Sequence, residues 1–434
     1  MPVSPARGAA FEALLRIENT DAYASELLHS SRLAKLPPGD HGLVTELVMG
    51  VLRWRSVLDN TIGKHSSQLV TKLDLEVLTA LRMGVQQLIF LDRVPAHAAI
   101  NESVELVKRA HKRSAAGFVN AVLRKIAENR PKDTGLDVCA AHPDWLVDRW
   151  RQNYGTDAVR RICEYDQTPP APVVRITDPA LVAELKEEGV RLAPGSFLTS
   201  ASRVTAGEIA RTKTFRERRL AVQDEASQLV ALLIGAGGSI LDCCAAPGGK
   251  TRIIAEGNPK ATVVAMELHP HRARLLRKLV PDSNVGVVAG DVRATPVCKT
   301  FDAVLVDAPC SGTGTLARNP EIKWRLKLDD LLRLQAYQLE ILFAAMKHLA
   351  PGGRLVYSTC SLEPEENEQV IEKALGNDPS FAVINCREEL EALQRSGDLV
   401  SVDLESLLSG PYLRTIPGVH RCDGFFAAVL RKSE

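Results

Sequence analysis

The stretch Ile240-Leu241-Asp242-Cys243-Cys244-Ala245-Ala246-Pro247-Gly248-Gly249-Lys250-Thr251 decides how the rest of the chain is read. Residues 229–234, then Ile240 and Leu241, form a short apolar run that ends in an acid. Small residues follow, and a helix begins near Thr251. Strand, tight turn and helix N-terminus make the first unit of a nucleotide-type α/β fold. In such a turn the backbone can approach a ligand closely, and free N–H groups point at it. Two related patterns are excluded. A phosphate-binding P-loop needs glycine at position 244, which is Cys244. The dinucleotide pattern Gly-x-Gly-x-x-Gly is absent as well. Gly248-Gly249 alone would suit any strand-turn-helix corner, so the reading depends on what flanks it.

Downstream, strand and helix periodicities alternate. Residues 262–266 read as a strand ending at Glu267, 271–279 as a basic helix, and 285–289 as a strand ending at Gly290-Asp291. Residues 301–306 form a strand ending at Asp307, 329–349 a long amphipathic helix, and 354–359 a strand ending at Cys360. Residues 412–416 and 424–430 read as a closing hairpin. This predicts a doubly wound, mostly parallel sheet, with ligands beyond the carboxyl ends of its strands. Acids or a thiol stand at that edge after five successive strands.

Upstream, residues 5–130 show apolar stripes at helical spacing, such as Leu75, Leu78, Leu81, Val85, Leu88 and Ile89, and few strand signals. An all-helical domain is expected there. Pro37-Pro38-Gly39 and Arg93-Val94-Pro95 read as breaks between helices. Residues 102–130 carry seven basic and three acidic residues, an excess of four (7 − 3). That face is either solvated or RNA-contacting. Between the halves, a helix start capped by Asp144, a stiff Thr168-Pro169-Pro170-Ala171-Pro172 break, a strand at 173–176 and a helix at 179–188 suggest a small α/β module. Residues 211–219, with five basic residues and Glu217 the one acid, could help that module guide RNA. The expected division is 1–138, 139–222 and 223–434.

Composition narrows the class. A length of 434 residues allows two or three domains, and 45% hydrophobic content can fill their cores. The formal net charge of +1 means that any nucleic-acid surface must come from local segregation of charge. Nine cysteines occur without a Cys-x-x-Cys pair, which argues against zinc and against a disulfide framework. Residues 1–17 lack a signal-peptide core, and no apolar run reaches membrane-spanning length. A reducing cytoplasm, no membrane, no metal and a monomer are the expectations.

Glu267 and Asp291 stand where acids bond ribose hydroxyls and accept from an adenine amino group, unless they merely cap turns. Without a pyrophosphate fingerprint the ligand reads as a nucleoside with a short tail. Lone cysteines are usually small buried hydrophobes, and that reading suits Cys139, Cys163, Cys298, Cys386 and Cys422. It suits Cys310, in Asp307-Ala308-Pro309-Cys310-Ser311-Gly312-Thr313-Gly314, and Cys360, in Ser358-Thr359-Cys360-Ser361, less well. Each follows a strand end, and Cys360 leads into an acidic helix start whose N–H groups would favour a thiolate. Two thiols and an acid over one cofactor pocket suit methylation of cytosine carbon 5. A thiolate adding to carbon 6 makes carbon 5 nucleophilic toward a sulfonium methyl group. An acid holds the base, and a base then removes the carbon 5 proton. Such a pyrimidine must be unstacked, in single-stranded or flipped form.

The residues 243–251, the Asp307–Gly314 motif with Pro320-Glu321-Ile322-Lys323-Trp324 downstream, and Tyr357-Ser358-Thr359-Cys360-Ser361 with Pro364-Glu365-Glu366-Asn367-Glu368 resemble the RNA 5-methylcytosine methyltransferases. Val94-Pro95-Ala96-His97-Ala98-Ala99-Ile100-Asn101-Glu102 and Gly117-Phe118-Val119-Asn120-Ala121-Val122-Leu123-Arg124 resemble the antitermination factor NusB, fused to such enzymes. His142-Pro143-x-Trp145-Leu146 fits too. Together they resemble the RsmB (Sun/Fmu) family, which acts on 16S ribosomal RNA. The resemblance implies an all-α NusB-like domain, a small α/β linker and a C-terminal class I, Rossmann-like methyltransferase using S-adenosyl-L-methionine. By position, Cys244, Ala245, Ala246, Pro247, Gly248, Gly249 and Lys250 would line the methionine and ribose part of that cofactor. Glu267 would take the ribose hydroxyls and Asp291 the adenine edge, with Asp307 between cofactor and base. Cys360 would be the nucleophile and Cys310 would assist product release, an order that the residues alone leave open.

Two departures stand out. Glu267 replaces a common Asp, and Val174-Arg175-Ile176-Thr177 replaces an Arg-x-Asn pattern. Methylation of another RNA, transfer or ribosomal, and a non-catalytic RNA-binding assembly factor are the alternatives. Intact Lys250, Asp307, Cys310 and Cys360 speak against the last.

Overall fold

A computed structural model of the chain describes residues 3–30, 33–130, 137–294 and 299–434. They form two compact units: residues 1–169 with Leu316–Arg325, and Pro170–Thr315 with Leu326–Glu434.

The first unit is helical. Pro5–Asn19, Pro38–His65, Leu75–Phe90, Ala96–Arg109 and Ala116–Glu128 bury their apolar stripes against one another. The long helix Pro38–His65 begins at the first expected break, with Pro37 at its N-cap, because proline in a first helical turn costs no hydrogen bond. Asp144–Gln167 follows, kinked at Gly155. Leu316–Arg325 completes this unit although its neighbours in sequence belong to the other. Arg53 Nη2 donates to the Ala317 carbonyl (2.9 Å), Lys323 Nζ to the Arg53 carbonyl (3.0 Å) and Trp324 Nε1 to the Leu52 carbonyl (2.6 Å). Arg325 Nη2 donates to the carbonyls of Ile17, Thr20 and Ala22 at 2.7–3.0 Å.

The second unit has two sheets. Its small one, in the order β2-β3-β1-β4, comprises β1 (Val173–Arg175), β2 (Arg191–Pro194), β3 (Ala201–Ala206) and β4 (Ala221–Val222). Only the first of these was expected. Strands β2 and β3 carry mixed polar and apolar residues and β4 has only two residues, so all three owe their pairing to the strands beside them. The large sheet has nine strands: β5 (Ser239–Asp242), β6 (Thr262–Glu267), β7 (Val285–Ala289), β8 (Phe301–Asp307), β9 (Leu349–Thr359), β10 (Phe381–Ile384), β11 (Leu408–Ser409), β12 (Tyr412–Thr415) and β13 (Phe425–Lys432). The order is β11-β12-β13-β9-β8-β5-β6-β7, with β10 on β13. Strands β5 to β9 pair in parallel, while β13, β12, β11 and β10 are antiparallel, so the sheet is mixed. Helices Glu225–Leu232 and Gly249–Gly257 cover one face, and Leu328–Lys347 and Glu368–Asn377 the other.

The chain proceeds from β5 to β6 and β7 on one side, then crosses to β8 and β9 on the other. The carboxyl ends flanking β5 therefore open a crevice at the point where strand order reverses. Among the described residues no helix is long and apolar enough to cross a membrane.

Candidate active site

The turn after β5 is shaped by glycine. Gly248 has φ +116°, a conformation side-chain-bearing residues avoid, and a Cβ there would lie 2.6 Å from Val280 Cγ2 and 2.7 Å from Leu276 Cδ1. Helix Gly249–Gly257 starts directly after it, leaving its first N–H groups at the crevice. Cys244 is half-buried, and desolvation, then Asp242 and Asp307, push its thiol up. Ala245 is buried, Ala246 offers its carbonyl to Arg272 Nη2 at 3.2 Å, and Pro247 follows a cis bond.

A further acid, outside the candidate residues read from the sequence, belongs to this turn. Asp242 is buried, accepts from Thr251 Oγ1 at 2.7 Å, and leaves Oδ1 without a partner. Burial pushes its carboxyl up to about 7. The signal was available, as the acid that ends the first strand of the quoted stretch.

Lys250 reaches across to the tip of β8, its Nζ 2.7 Å from Asp307 Oδ2 and 5.0 Å above the Phe425 ring. Ser358 Oγ donates to Asp307 Oδ1 at 2.8 Å. Each carboxylate oxygen has two lone pairs, so Asp307 keeps acceptor capacity beyond these two bonds. Glu267, at the end of β6, is buried; it accepts from the His269 N–H at 2.9 Å and lies 3.7 Å from Arg272. Asp291, beyond β7, is gripped by Arg293 (2.7 Å), whose hydrogen bonds hold that carboxyl below its usual range. Arg293 also pairs with Glu340 and lies over Tyr337.

The two thiols come together on the tips of β8 and β9. Parallel pairing aligns Asp307 with Ser358, the Ala308 N–H bonds the Ser358 carbonyl, and the Gly314 N–H bonds the Cys360 carbonyl. Gly314 passes so close to Gly424 that a Cβ would lie 2.2 Å from its carbonyl oxygen. Cys310 Sγ and Cys360 Sγ are 3.3 Å apart, both half-buried. This hydrogen bond, and then burial, hold the Cys310 thiol well above the ordinary range. Cys310 therefore keeps its proton, and its S–H lies within hydrogen-bond reach of the Cys360 sulfur. The helix expected beside Cys360 starts at Glu368, after a short turn at Pro364–Glu366. Of the other cysteines, Cys163, Cys386 and Cys422 are buried, Cys139 is half-buried, and Cys298 lies outside the described residues.

The expected basic faces are largely ion-paired. Lys108 meets Glu105, Arg109 Glu12, Lys112 Asp74, and Arg130 Asp92, while Arg113, Arg124 and Lys125 are exposed. In the second unit Arg211 meets Glu208, Lys213 Glu217, and Arg219 Glu184.

Comparison with known proteins agrees with this architecture. Residues 230–431 match the family model of 16S rRNA methyltransferase RsmB/F, residues 4–128 that of the NusB family, and residues 142–207 that of the ferredoxin-like domain of RsmF/B-like methyltransferases. The chain is 33% identical to the probable ribosomal RNA small subunit methyltransferase B of Bacillus subtilis, over 100% of both chains. It is 31% identical to the ribosomal RNA small subunit methyltransferase B of Vibrio cholerae, over 98% of this chain and 97% of that one. The crystal structure of PH0851, at 24% identity, has a TM-score of 0.81 and covers 99% of this chain and 100% of that one, a likeness of fold.

Proposed function

The chain belongs to the 16S rRNA methyltransferase RsmB/F family, and from that membership we propose that it methylates carbon 5 of a cytosine in small-subunit ribosomal RNA through a covalent bond to Cys360. Its methyl donor is S-adenosylmethionine, which when bound supplies an electrophilic methyl group on a sulfonium sulfur. The turn fits such a group: Gly248 keeps the backbone open, buried Asp242 has an unpartnered oxygen, and Glu267 stands at the adjacent strand end.

The observation that carries the reading is the thiol pair, 3.3 Å apart beside the Lys250–Asp307 ion pair. Cys360 as thiolate bonds carbon 6 and turns carbon 5 into the nucleophile. Asp307, held by Lys250 and Ser358, accepts from the exocyclic amine and steadies the adduct. After methylation a base takes the carbon 5 proton, the carbon 6–sulfur bond breaks, and its electron pair returns to Cys360. Cys310, in contact with that sulfur, serves this release. The cytosine is taken from a single-stranded or flipped position, since neither sulfur can reach carbon 6 inside a stack.

The test uses labelled donor and unmodified small-subunit RNA, with bisulfite sequencing to identify the product. Cys360→Ala loses methyl transfer while still binding donor, and Cys310→Ala accumulates a protein–RNA adduct on a denaturing gel. Full activity of Cys360→Ala would overturn the covalent route. Label found only in another RNA, or none at all, would overturn the substrate.

A further inference from the structure

Glu366 is fully buried on the turn that follows Cys360. A carboxylate is stable without water only when its oxygens are bonded, and here four donors converge on it. Oε1 accepts from the Ser311 N–H (2.8 Å) and from Gln338 Nε2 (2.8 Å). Oε2 accepts from Ser311 Oγ (2.5 Å) and Ser361 Oγ (2.5 Å). Ser311 directly follows Cys310, and Ser361 directly follows Cys360. One oxygen therefore holds the residue directly after each of the two cysteines.

The surroundings stiffen this joint. The Gln338 amide also donates to the Pro309 carbonyl at 2.9 Å, and the Tyr357 hydroxyl to the Glu366 carbonyl at 2.7 Å. Thr359 Oγ1 donates to Asn367 Oδ1, whose amide donates to the Ser361 carbonyl. We propose that Glu366 is a positioning residue that clamps the Cys310 and Cys360 turns together and sets the contact between their sulfurs. It touches neither thiol directly among the bonds described, and acts through the two serines. The inference deepens the covalent reading above and rests on it only for its kinetic consequence.

A probe that needs neither RNA nor donor separates the two. Phenylarsine oxide condenses with two thiols in contact, forming two As–S bonds and releasing its oxygen as water with the two thiol protons. No electrons change hands. Intact-mass analysis with peptide mapping, against Cys310→Ser as the blank, measures bridging of Cys310 to Cys360. The wild type is expected to take one arsenical across this pair. Glu366→Ala should weaken that binding at least tenfold, and Glu366→Gln, which keeps one acceptor oxygen, by less. Single-turnover methyl transfer should fall in the same order while donor affinity stays unchanged. Should Glu366→Ala not fold, the Ser311→Ala/Ser361→Ala pair removes the same two arms and is expected to lose bridging likewise. Wild-type bridging in either variant, or none in the wild type, would overturn the clamp. Altered bridging with unaltered methyl transfer would keep the clamp and count against the covalent route.

Discussion

Lys323 is a lysine sealed inside the helical unit, 1% exposed, and burial lowers its amine from 10.5 to about 7. Asp166 and then Cys163 oppose that shift, and Arg53 adds to it. The sign follows from linkage. Between about pH 7 and 10.5 the unfolded chain binds a proton at this amine and the folded chain does not, so stability rises with pH through that window. Below pH 7 the penalty is present in full. A displacement of roughly 3.5 units corresponds to at most roughly 5 kcal/mol. The perturbation is Lys323→Met, which keeps the length and removes the charge. It also leaves the Arg53 carbonyl short of a donor, at a cost of about 1–3 kcal/mol. All four tryptophans, Trp54, Trp145, Trp150 and Trp324, lie in the helical unit. Tryptophan emission during heating therefore follows that unit and not the sheet unit. The variant should match or exceed the wild type at pH 6.5 and fall below it by pH 10. With roughly 2–4 °C per kcal/mol for a unit of this size, the gap should swing by several degrees. Parallel melting-temperature curves for the two proteins would refute the buried-amine argument, because every other titrating group cancels in the difference.

Gly248→Ala places a side chain at φ +116° against Val280 and Leu276. Left-handed strain and overpacking together should cost about 2–4 kcal/mol, with a donor affinity at least tenfold weaker by calorimetry; unchanged melting and binding would show that the turn is not confined. Asp242, with its carboxyl up at about 7, holds a proton in the folded state that the unfolded chain releases above 3.8. Its contribution is complete below that lower value and fades as pH rises through 7, so Asp242→Asn should gain on the wild type between pH 5 and 8 in circular-dichroism melts. An identical pH dependence in both would place Asp242 in contact with water.

The expected strands at 262–266, 285–289, 301–306 and 354–359 recur in β6, β7, β8 and β9 because each is an apolar run bounded by small residues or acids. The alternating sheet, its glycine turn and the acids and thiol at its carboxyl edge are therefore legible in the chain itself. Local pattern ends there. Nothing in the order of residues tells that Leu316–Arg325 leaves the sheet unit to bond Arg53, Leu52 and Ile17, since those partners lie more than 260 positions away. The same limit hides β2, β3 and β4, whose pairing is decided by neighbours and not by propensity.

The site divides in the same way. The residue types at strand ends point to cofactor and thiol chemistry, because a strand-turn-helix unit exposes whatever follows its last apolar residue. Only the folded chain brought Cys310 to 3.3 Å from Cys360, paired Lys250 with Asp307, and drew Glu366 out of an acidic run to bond both serines. Sequence thus determined which chemical groups stand at the carboxyl edge of the sheet. Tertiary structure decided which of them touch, because parallel pairing of β8 with β9 joins residues some fifty positions apart and burial then selects the protonation and partners of each.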